Sequence, residues 1–389
     1  MNLSISIVLL SAAFLLYVLF GYPIVLRLWP GTKRGRRPAN VERPPESWPM
    51  VSVVMPVKNG ERWLEAKLNT LLELDYPAEK LEVLVIDNGC EDRSAEIAQR
   101  YAPRGVRLLK ALGGGKAGGL NEGVKHATGE ILFMTDVRQR LDRQALKMLV
   151  ACFDDPQVGV ASGELMILKG DSEEEANVGL YWRYEKWIRQ CHSDIDSVIG
   201  ATGAIYAMRR CLAQPLPLYT LNDDVHLPLC AFFAGYRVLF VPESRAYDAP
   251  TALDAEFKRK VRTQAGVYEL IGRFPGLLGP QNRMLVHFLS HKFGRLVLPW
   301  ALVALLAASP FLPGPWNLLM LAGQGLFYGL ALVDPWVPEA SKLKKLSSVI
   351  RTFVVLMLAA LAAVSRLWRT PESFWPRPTA MGPRRPPGE

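Results

Sequence analysis

Charged side chains are missing from two long parts of this 389-residue chain. Residues 1–26 and 296–333 contain no Lys, Arg, Asp or Glu, and the apolar run 346–364 contains Arg351 alone. A helix needs about 20 apolar residues to cross the hydrocarbon core of a bilayer. The sequence therefore predicts a protein held in a lipid bilayer by four spans, at about residues 4–26, 295–312, 316–334 and 346–366.

The first apolar run also lacks the basic residues that precede the core of a cleaved signal peptide. It is longer than such a core, so we expect it to be retained as a span. Basic residues follow it instead, since residues 27–43 carry six of them against Glu42 alone. Basic residues mark the cytoplasmic end of a span. We therefore expect the region from about 50 to 290 to be cytoplasmic, in a multi-pass protein of the plasma (inner) membrane.

The tail of the chain does not fit that rule. Residues 366–389 carry five basic and two acidic side chains, yet four crossings from an outside N-terminus would leave them outside. Either the last apolar run does not fully cross, or the tail is an exception. The flanks 27–43 and 366–389 supply +8 of the net charge of +9. Attraction of these flanks to anionic lipid headgroups explains the positive net charge, so no nucleic-acid partner is expected.

Patterns that hold zinc, disulfides or a P-loop phosphate are also absent. The five cysteines include no CxxC pair and no His/Cys cluster, so free thiols are expected. A GxxxxGK[ST] motif does not occur. His287 and His291 are one helical turn apart between Arg283 and Arg295, a stretch that we interpret as an interfacial helix; it overlaps a predicted interfacial amphipathic segment at 266–294. No carboxylate accompanies them, so a metal site is not expected there.

The region after residue 50 alternates short apolar runs with helical stretches. The predicted strands are Val51–Met55, Leu81–Ile86, Val106–Leu109 and Ile131–Met134. The predicted helices lie at about 60–74, 93–101 and 117–127. Continuous apolar strands separated by helices indicate an α/β fold with a buried, doubly wound parallel sheet. Such sheets bind ligands at the carboxyl ends of their strands.

Polar motifs follow these strands in a recognisable order. They are Val53–Glu61 (VVMPVKNGE), Val85–Ser94 (VIDNGCEDRS), Gly114–Asn121 (GGKAGGLN), Gly129–Glu130 before a strand that ends at Asp136, Asn222–Leu227 (NDDVHL), and Arg259–Arg262 (RKVR). Together they resemble the family 2 glycosyltransferases, whose nucleotide-sugar-binding domain has the GT-A fold. The flanking spans resemble those of the membrane-bound members, which include polysaccharide synthases and lipid glycosyltransferases.

The resemblance implies a division of the chain into six parts. They are an N-terminal transmembrane helix at 1–29, a basic Pro-rich linker at 30–49, a cytoplasmic GT-A domain at 50–265, the interfacial segment at 266–294, three transmembrane helices at 295–366 and a basic Pro-rich tail at 367–389.

The resemblance also implies roles for individual residues. Asp224 is the expected catalytic base, with its neighbour Asp223 as the alternative, and inversion is expected at the anomeric carbon. A solvated turn or a helix cap is the competing interpretation of this pair. The residues expected to bind the nucleotide sugar are Pro56, Glu61, Asp87, Lys116, Asp136, Arg259 and Arg262. Asp87 would contact the base, unless it is an ordinary helix cap, and the arginines could instead face the membrane surface.

The metal motif of the family, Asp-x-Asp, is altered. Asp136-Val137-Arg138 keeps one carboxylate and replaces the other by arginine. Asp136 with diphosphate oxygens still suits Mg²⁺ or Mn²⁺, which we expect as the cofactor. Alternatively, Arg138 supplies part of the charge of the cation.

The acceptor side is expected between residues 181 and 210. The resemblance points to Trp187, Gly200, Thr202 and Gly203 as acceptor-binding residues, because an aromatic face stacks on a sugar ring and glycine permits close approach. An aromatic stripe on a helix equally suits core packing.

The expected function is therefore an inverting hexosyl or N-acetylhexosaminyl transfer from a nucleotide sugar, with UDP as the expected nucleotide, to a lipid or glycan acceptor at the membrane. Two alternatives stay open, a catalytically inactive nucleotide-binding scaffold and a processive polysaccharide synthase. Processive members carry Gln-x-x-Arg-Trp where this chain has Arg259, Arg262 and Thr263. Those two departures favour limited transfer.

Overall fold

A computed structural model describes residues 2–29, 42, 44–168, 173–249, 253–338 and 341–374. Most of the predicted linker at 30–49 and residues 375–389 of the predicted tail lie outside the described residues. The described part combines an α/β domain with four long apolar helices, which confirms the expected fold class.

Eight strands form one sheet in the order β3-β2-β1-β4-β7-β6-β8-β5. They are β1 (Val51–Val57), β2 (Leu81–Asp87), β3 (Val106–Lys110), β4 (Ile131–Thr135), β5 (Arg140–Leu141), β6 (Val158–Ile167), β7 (Ile205–Arg209) and β8 (Arg237–Asp248). The four predicted strands are present and parallel, each within two residues of its expected end. The sheet as a whole is mixed, because β7 runs antiparallel to both β4 and β6. The parallel pairing expected for the four predicted strands is confirmed, and it does not extend to this second half.

The described residues of the domain form seven α-helices. They are α1 (Glu61–Leu72), α2 (Ser94–Arg100), α3 (Gly115–His126), α4 (Ala145–Val150), α5 (Glu173–Ile195), α6 (Asp223–Phe233) and α7 (Leu253–Arg273). The first three correspond to the predicted helices.

Both faces of the sheet are buried under helices. Successive side chains of a strand point to opposite faces, so Val53 and Met55 of β1 join one core with Leu64 and Leu68 of α1. Val54, between them, joins the other core, which includes α3 and α6. This two-sided burial explains why the strands of the first half are continuous apolar runs.

The four apolar helices are long enough to cross a bilayer. We call them span 1 (Leu3–Leu28), span 2 (Leu285–Phe311), span 3 (Trp316–Trp336) and span 4 (Lys342–Leu367). Span 2 begins about ten residues earlier than expected. The predicted interfacial segment at 266–294 includes the end of α7 and the first turns of span 2, and the helix expected at 283–295 is part of span 2. His287 and His291 lie in those turns and are buried near Tyr22 of span 1.

Contacts at the ends of the spans show which span ends lie close to each other and which lie against the domain. Ser4 Oγ, at the start of span 1, donates to the Phe311 carbonyl at the end of span 2 at 2.9 Å. At the end of span 4, Arg366 Nε is 4.0 Å from Glu269 Oε2 on α7. Ala363 is buried there with Ala265 of the same helix. The C-terminal end of span 4 therefore lies against the domain.

We expect the tail to lie on the same side of the membrane as the domain, contrary to the count of four full crossings. Green fluorescent protein fused after Glu389 should fluoresce in a bacterial host, and alkaline phosphatase fused there should be inactive. Alkaline phosphatase inserted after Pro313, between spans 2 and 3, is the control and should be active. Phosphatase activity at Glu389 would contradict the placement.

Candidate active site

The turns after β1 and β2 hold each other in place. Glu61 begins α1, and its Oε2 accepts a hydrogen bond from the Arg93 amide at 2.8 Å. In return, Asp92 Oδ2 accepts from the Glu61 amide at 3.0 Å. Asp87, the last residue of β2, accepts from the Cys90 amide at 2.7 Å, which is a turn-capping bond. Glu61 and Asp87 thus lie on adjacent turns at the carboxyl edge of the sheet.

The glycine-rich loop brings Lys116 to that edge. Gly113, Gly114 and Gly115 have φ values of +106°, +88° and +67°, which are open chiefly to glycine. A side chain at Gly119 would meet the ring of Pro56 in β1 at 2.9 Å. Because Gly119 lacks a side chain, the start of α3 can approach the end of β1, and Pro56 packs directly against it.

Lys116 joins two carboxylates from distant parts of the chain. Its Nζ is 2.9 Å from Asp136 Oδ1, just after β4, and 3.1 Å from Asp223 Oδ2, at the start of α6. Burial alone would lower the pKa of Lys116, but the carboxylates of Asp136, Asp223 and Asp224 raise it above its usual value. Two of the expected donor-site residues, Lys116 and Asp136, therefore meet the expected catalytic pair in one cluster, which we call the acidic cluster (Lys116, Asp136, Asp223 and Asp224).

Asp223 and Asp224 are the first two residues of α6, with Asn222 as N-cap. The side-chain Nδ2 of Asn222 donates to the Thr263 carbonyl of α7 at 2.9 Å, which fixes the start of the helix. Asp224 Oδ2 accepts from the Gly203 amide at 3.2 Å. Burial and the neighbouring Asp223 carboxylate raise the pKa of Asp224 to about 6, against the opposing charge of Lys116. A carboxylate poised near neutral pH is suited to accept a proton.

Arg262 faces the acidic cluster from α7. Burial lowers its pKa, and the carboxylates of Asp223, Asp224 and Asp136 oppose that shift. Arg259 lies one helical turn earlier, where its carbonyl accepts from Thr263 Oγ1 at 2.9 Å. Arg262 therefore adds a buried positive charge beside the carboxylates, as an anionic leaving group requires.

Arg138 does not take the place of a cation beside Asp136. Its Nη2 is 2.9 Å from Asp248 Oδ2 on β8, and the Gln139 side chain donates to the same oxygen at 2.7 Å. The alternative in which Arg138 supplies the cation charge thus has no support in this geometry.

The protein side chains alone provide too few ligands for a divalent cation at this site, so the nucleotide-sugar donor would have to provide others. Asp136 offers the hard oxygen that Mg²⁺ or Mn²⁺ prefers. Among the described residues, no group of three or more His, Cys, Asp or Glu side chains could by itself hold a metal ion. The remaining ligands would have to come from diphosphate oxygens and water.

The expected acceptor residues separate into two places. Gly203 lies against Asp224, and Thr202 accepts from Arg189 Nη1 at 2.8 Å. Gly200 has a φ of +101° and lies against Val225, next to Asp224. Trp187 instead packs near Tyr184 in an apolar cluster with span 1. The structure therefore does not bring Trp187 to the acidic cluster.

Two buried residues near the cluster escaped sequence reasoning. Lys67 donates to Thr135 Oγ1 at 2.7 Å and to the Gln139 carbonyl at 2.8 Å. It therefore connects the two ends of the loop that contains Asp136. Its burial lowers its pKa to about 7. Lys67 lies on the apolar face of α1 with Leu64, Leu68 and Leu71, at i, i+3, i+4 spacing. A lysine on an apolar helix face was the sequence signal that could have identified it. Tyr206 of β7 is the second: the nearby carboxylates add to burial in raising its pKa.

Comparison with known proteins shows what the sheet domain is similar to. The model described as glycosyl transferase family 2 matches residues 52–212. The chain is 20% identical over 247 residues to the probable glycosyltransferase YdaM of Bacillus subtilis, covering 58% of this chain and 57% of that protein. It is 25% identical over 280 residues to an N-acetylglucosaminyltransferase of a Rhizobium species, covering 66% and 61%. The alignments thus span about three-fifths of these two relatives.

A solved structure extends the likeness to nearly the whole chain. The mannosyltransferase PcManGT from Pyrobaculum calidifontis, in complex with GDP-Man and Mn²⁺, superposes with a TM-score of 0.71 at 25% identity. The match covers 93% of this chain and 99% of that one, so it includes the apolar helices as well as the sheet domain.

Proposed function

We propose that this family 2 glycosyltransferase, whose family domain occupies residues 52–212, moves a sugar from a nucleotide donor to an acceptor at the membrane with inversion at the anomeric carbon. The observation that carries the proposal is the acidic cluster, where Asp224 has a raised pKa and Arg262 lies beside it. A base and buried cations at one point are what displacement of a diphosphate requires.

Each residue has a distinct part in the reaction. The acceptor hydroxyl oxygen forms a bond to the anomeric carbon while its proton passes to Asp224. The bond from that carbon to the diphosphate breaks on the opposite face, and Lys116 and Arg262 stabilise the departing charge. A divalent cation, when bound at Asp136, neutralises part of the same charge. Pro56, Glu61, Asp87 and Arg259 complete the proposed donor site.

The apolar helices support a place in the membrane. We propose that the apolar helices hold the protein in the bilayer and that the domain lies on the cytoplasmic face of the plasma (inner) membrane, with the C-terminal end of span 4 on the same side. The basic residues at 27–43 support this orientation. The acceptor is then a lipid or a glycan presented at that face.

The proposal also concerns which nucleotide the sugar donor carries. The sequence resemblance favours UDP, whereas PcManGT binds GDP-Man. Purified protein in maltoside detergent should release nucleoside diphosphate from at least one of a panel of UDP- and GDP-sugars, with Asp224→Asn as the control. Release no greater than that of the variant for every donor would favour the non-catalytic scaffold. A ladder of products after long incubation would instead favour a processive synthase.

A further inference from the structure

A lysine is buried next to the loop that carries Asp136. Lys67 is only 2% exposed, on the apolar face of α1 among Leu64, Leu68 and Leu71. A polar group in such a place costs free energy unless hydrogen bonds satisfy it. Methionine would fill a similar space without that cost. Packing of the core alone therefore does not explain a lysine at this position.

The amino group of Lys67 joins the two ends of that loop. It donates to Thr135 Oγ1 at 2.7 Å, at the end of β4, and to the Gln139 carbonyl at 2.8 Å, just before β5. The ammonium and the neutral amine can both donate two hydrogen bonds, so these contacts do not depend on the protonation state of Lys67. Residues 136–138 lie between the two points that Lys67 holds.

Each end of the loop is also bonded to the second half of the sheet. Thr135 Oγ1 donates its proton to the Ala204 carbonyl at 2.8 Å, next to β7, so it accepts the hydrogen bond from Lys67. The Gln139 side chain donates to Asp248 Oδ2 at 2.7 Å, in β8. Lys67 therefore lies at the centre of a hydrogen-bond network that connects α1, β4, β7 and β8.

The carboxylate of Asp136 depends on this backbone for its position. Its Oδ1 is 2.9 Å from Lys116 Nζ, which is shared with Asp223 at 3.1 Å. Among the described residues, the Asp136 side chain contacts no hydrogen-bond donor other than Lys116. The direction in which the carboxylate points is therefore set by the loop, and the loop is held by Lys67.

We propose that Lys67 is a positioning residue, which holds Asp136 where a divalent cation and the donor diphosphate reach its carboxylate. This inference rests on the proposed function and deepens it with a residue that acts through Asp136 without touching the substrate. Hydrogen bonds on both sides of Asp136 fix its backbone before the donor arrives. A ligand oriented in advance binds its metal more tightly, because less order has to be created on binding.

The test measures the binding of Mn²⁺ separately from transfer. Full-length protein in maltoside micelles is titrated with MnCl₂ in the presence of UDP, and in a second series GDP. Free Mn²⁺ is followed by electron paramagnetic resonance against a blank without protein. Lys67→Met should weaken Mn²⁺ binding about tenfold, as expected when a group that orients a metal ligand is lost. Thr135→Val removes one of the two acceptors and should weaken it about threefold.

Two further variants separate positioning from stability. Leu71→Ala is the matched control, because Leu71 is buried on the same face of α1 but has no polar atom to offer the loop. It should lower the melting temperature, since it leaves a cavity, and keep the native affinity for Mn²⁺. The double variant Lys67→Met/Thr135→Val should bind Mn²⁺ as well as Lys67→Met does, because the threonine acts through the lysine.

The proposal is overturned if the native chain binds no Mn²⁺ with either nucleotide, or if either folded variant, Lys67→Met or Thr135→Val, keeps the native affinity. An equal loss of affinity in Leu71→Ala would overturn it too. Thr135→Val changes the shape of the side chain little, so it provides the comparison even where Lys67→Met fails to fold. Sugar transfer is measured separately. A native chain that binds Mn²⁺ but transfers no sugar would refute the proposed function alone, whereas transfer with native Mn²⁺ affinity in both variants would refute the role of Lys67 alone.

Discussion

Asp224→Asn lowers the rate of sugar transfer by about 10³-fold, the contribution expected of a general base. The variant cannot accept the proton of the attacking hydroxyl, although its amide oxygen can still accept the hydrogen bond from Gly203. We therefore expect an unchanged melting temperature together with the loss of rate. Initial rates with saturating donor and acceptor, measured beside thermal unfolding in the same detergent, check both parts.

The pH dependence separates a base from a structural residue. The raised pKa of Asp224, about 6, means that its carboxylate is ionised above that pH and protonated below it. Only the ionised form accepts a proton, so the rate of the native chain should fall as pH decreases through about 6. Asp75→Asn is the control, because Asp75 lies on the surface in an ion pair with Lys147, and it should keep the native profile. An Asp224→Asn variant that retains a tenth of the native rate would exclude Asp224 as the base.

The first half of the sheet was predictable because its signals are local. The strands β1 to β4 are mostly apolar runs, since both faces of the sheet are covered, and β1, β2 and β3 are each followed by a helix of the right period. The second half was not. β8 (Arg237–Asp248) includes Pro242, Glu243 and Arg245, and its pairing with β6 contains register shifts. Whether β7 runs antiparallel between β4 and β6 depends on contacts between distant segments, which no local pattern encodes.

The acidic cluster was predictable for a related reason. The carboxyl ends of parallel strands meet at one edge, so Lys116 and Asp136, which follow β3 and β4, were expected at the same edge. The partner of Arg138 was not predictable, because Asp248 lies 110 residues away and pairs with it only through the placement of β8. The cavity that Glu185, Arg189 and Lys292 line likewise combines side chains from residues 185 to 295, and the early start of span 2 brings Lys292 to it.

Removal of divalent cations lowers transfer at least about 100-fold, because a bound cation supplies several kcal/mol of charge stabilisation to the departing diphosphate. Arg138 is engaged by Asp248 at 2.9 Å, so it does not replace the cation beside Asp136. Chelation followed by addition of Mn²⁺ or Mg²⁺ should restore the native chain but not Asp136→Asn, which lacks the carboxylate that holds the ion. Arg138→Ala should change the rate less than threefold and leave the requirement for the cation intact, since it removes only a half-exposed ion pair. Full activity in the presence of chelator would show instead that Lys116 and Arg262 neutralise the diphosphate unaided, and the lost second carboxylate of the motif would then mark a metal-independent enzyme.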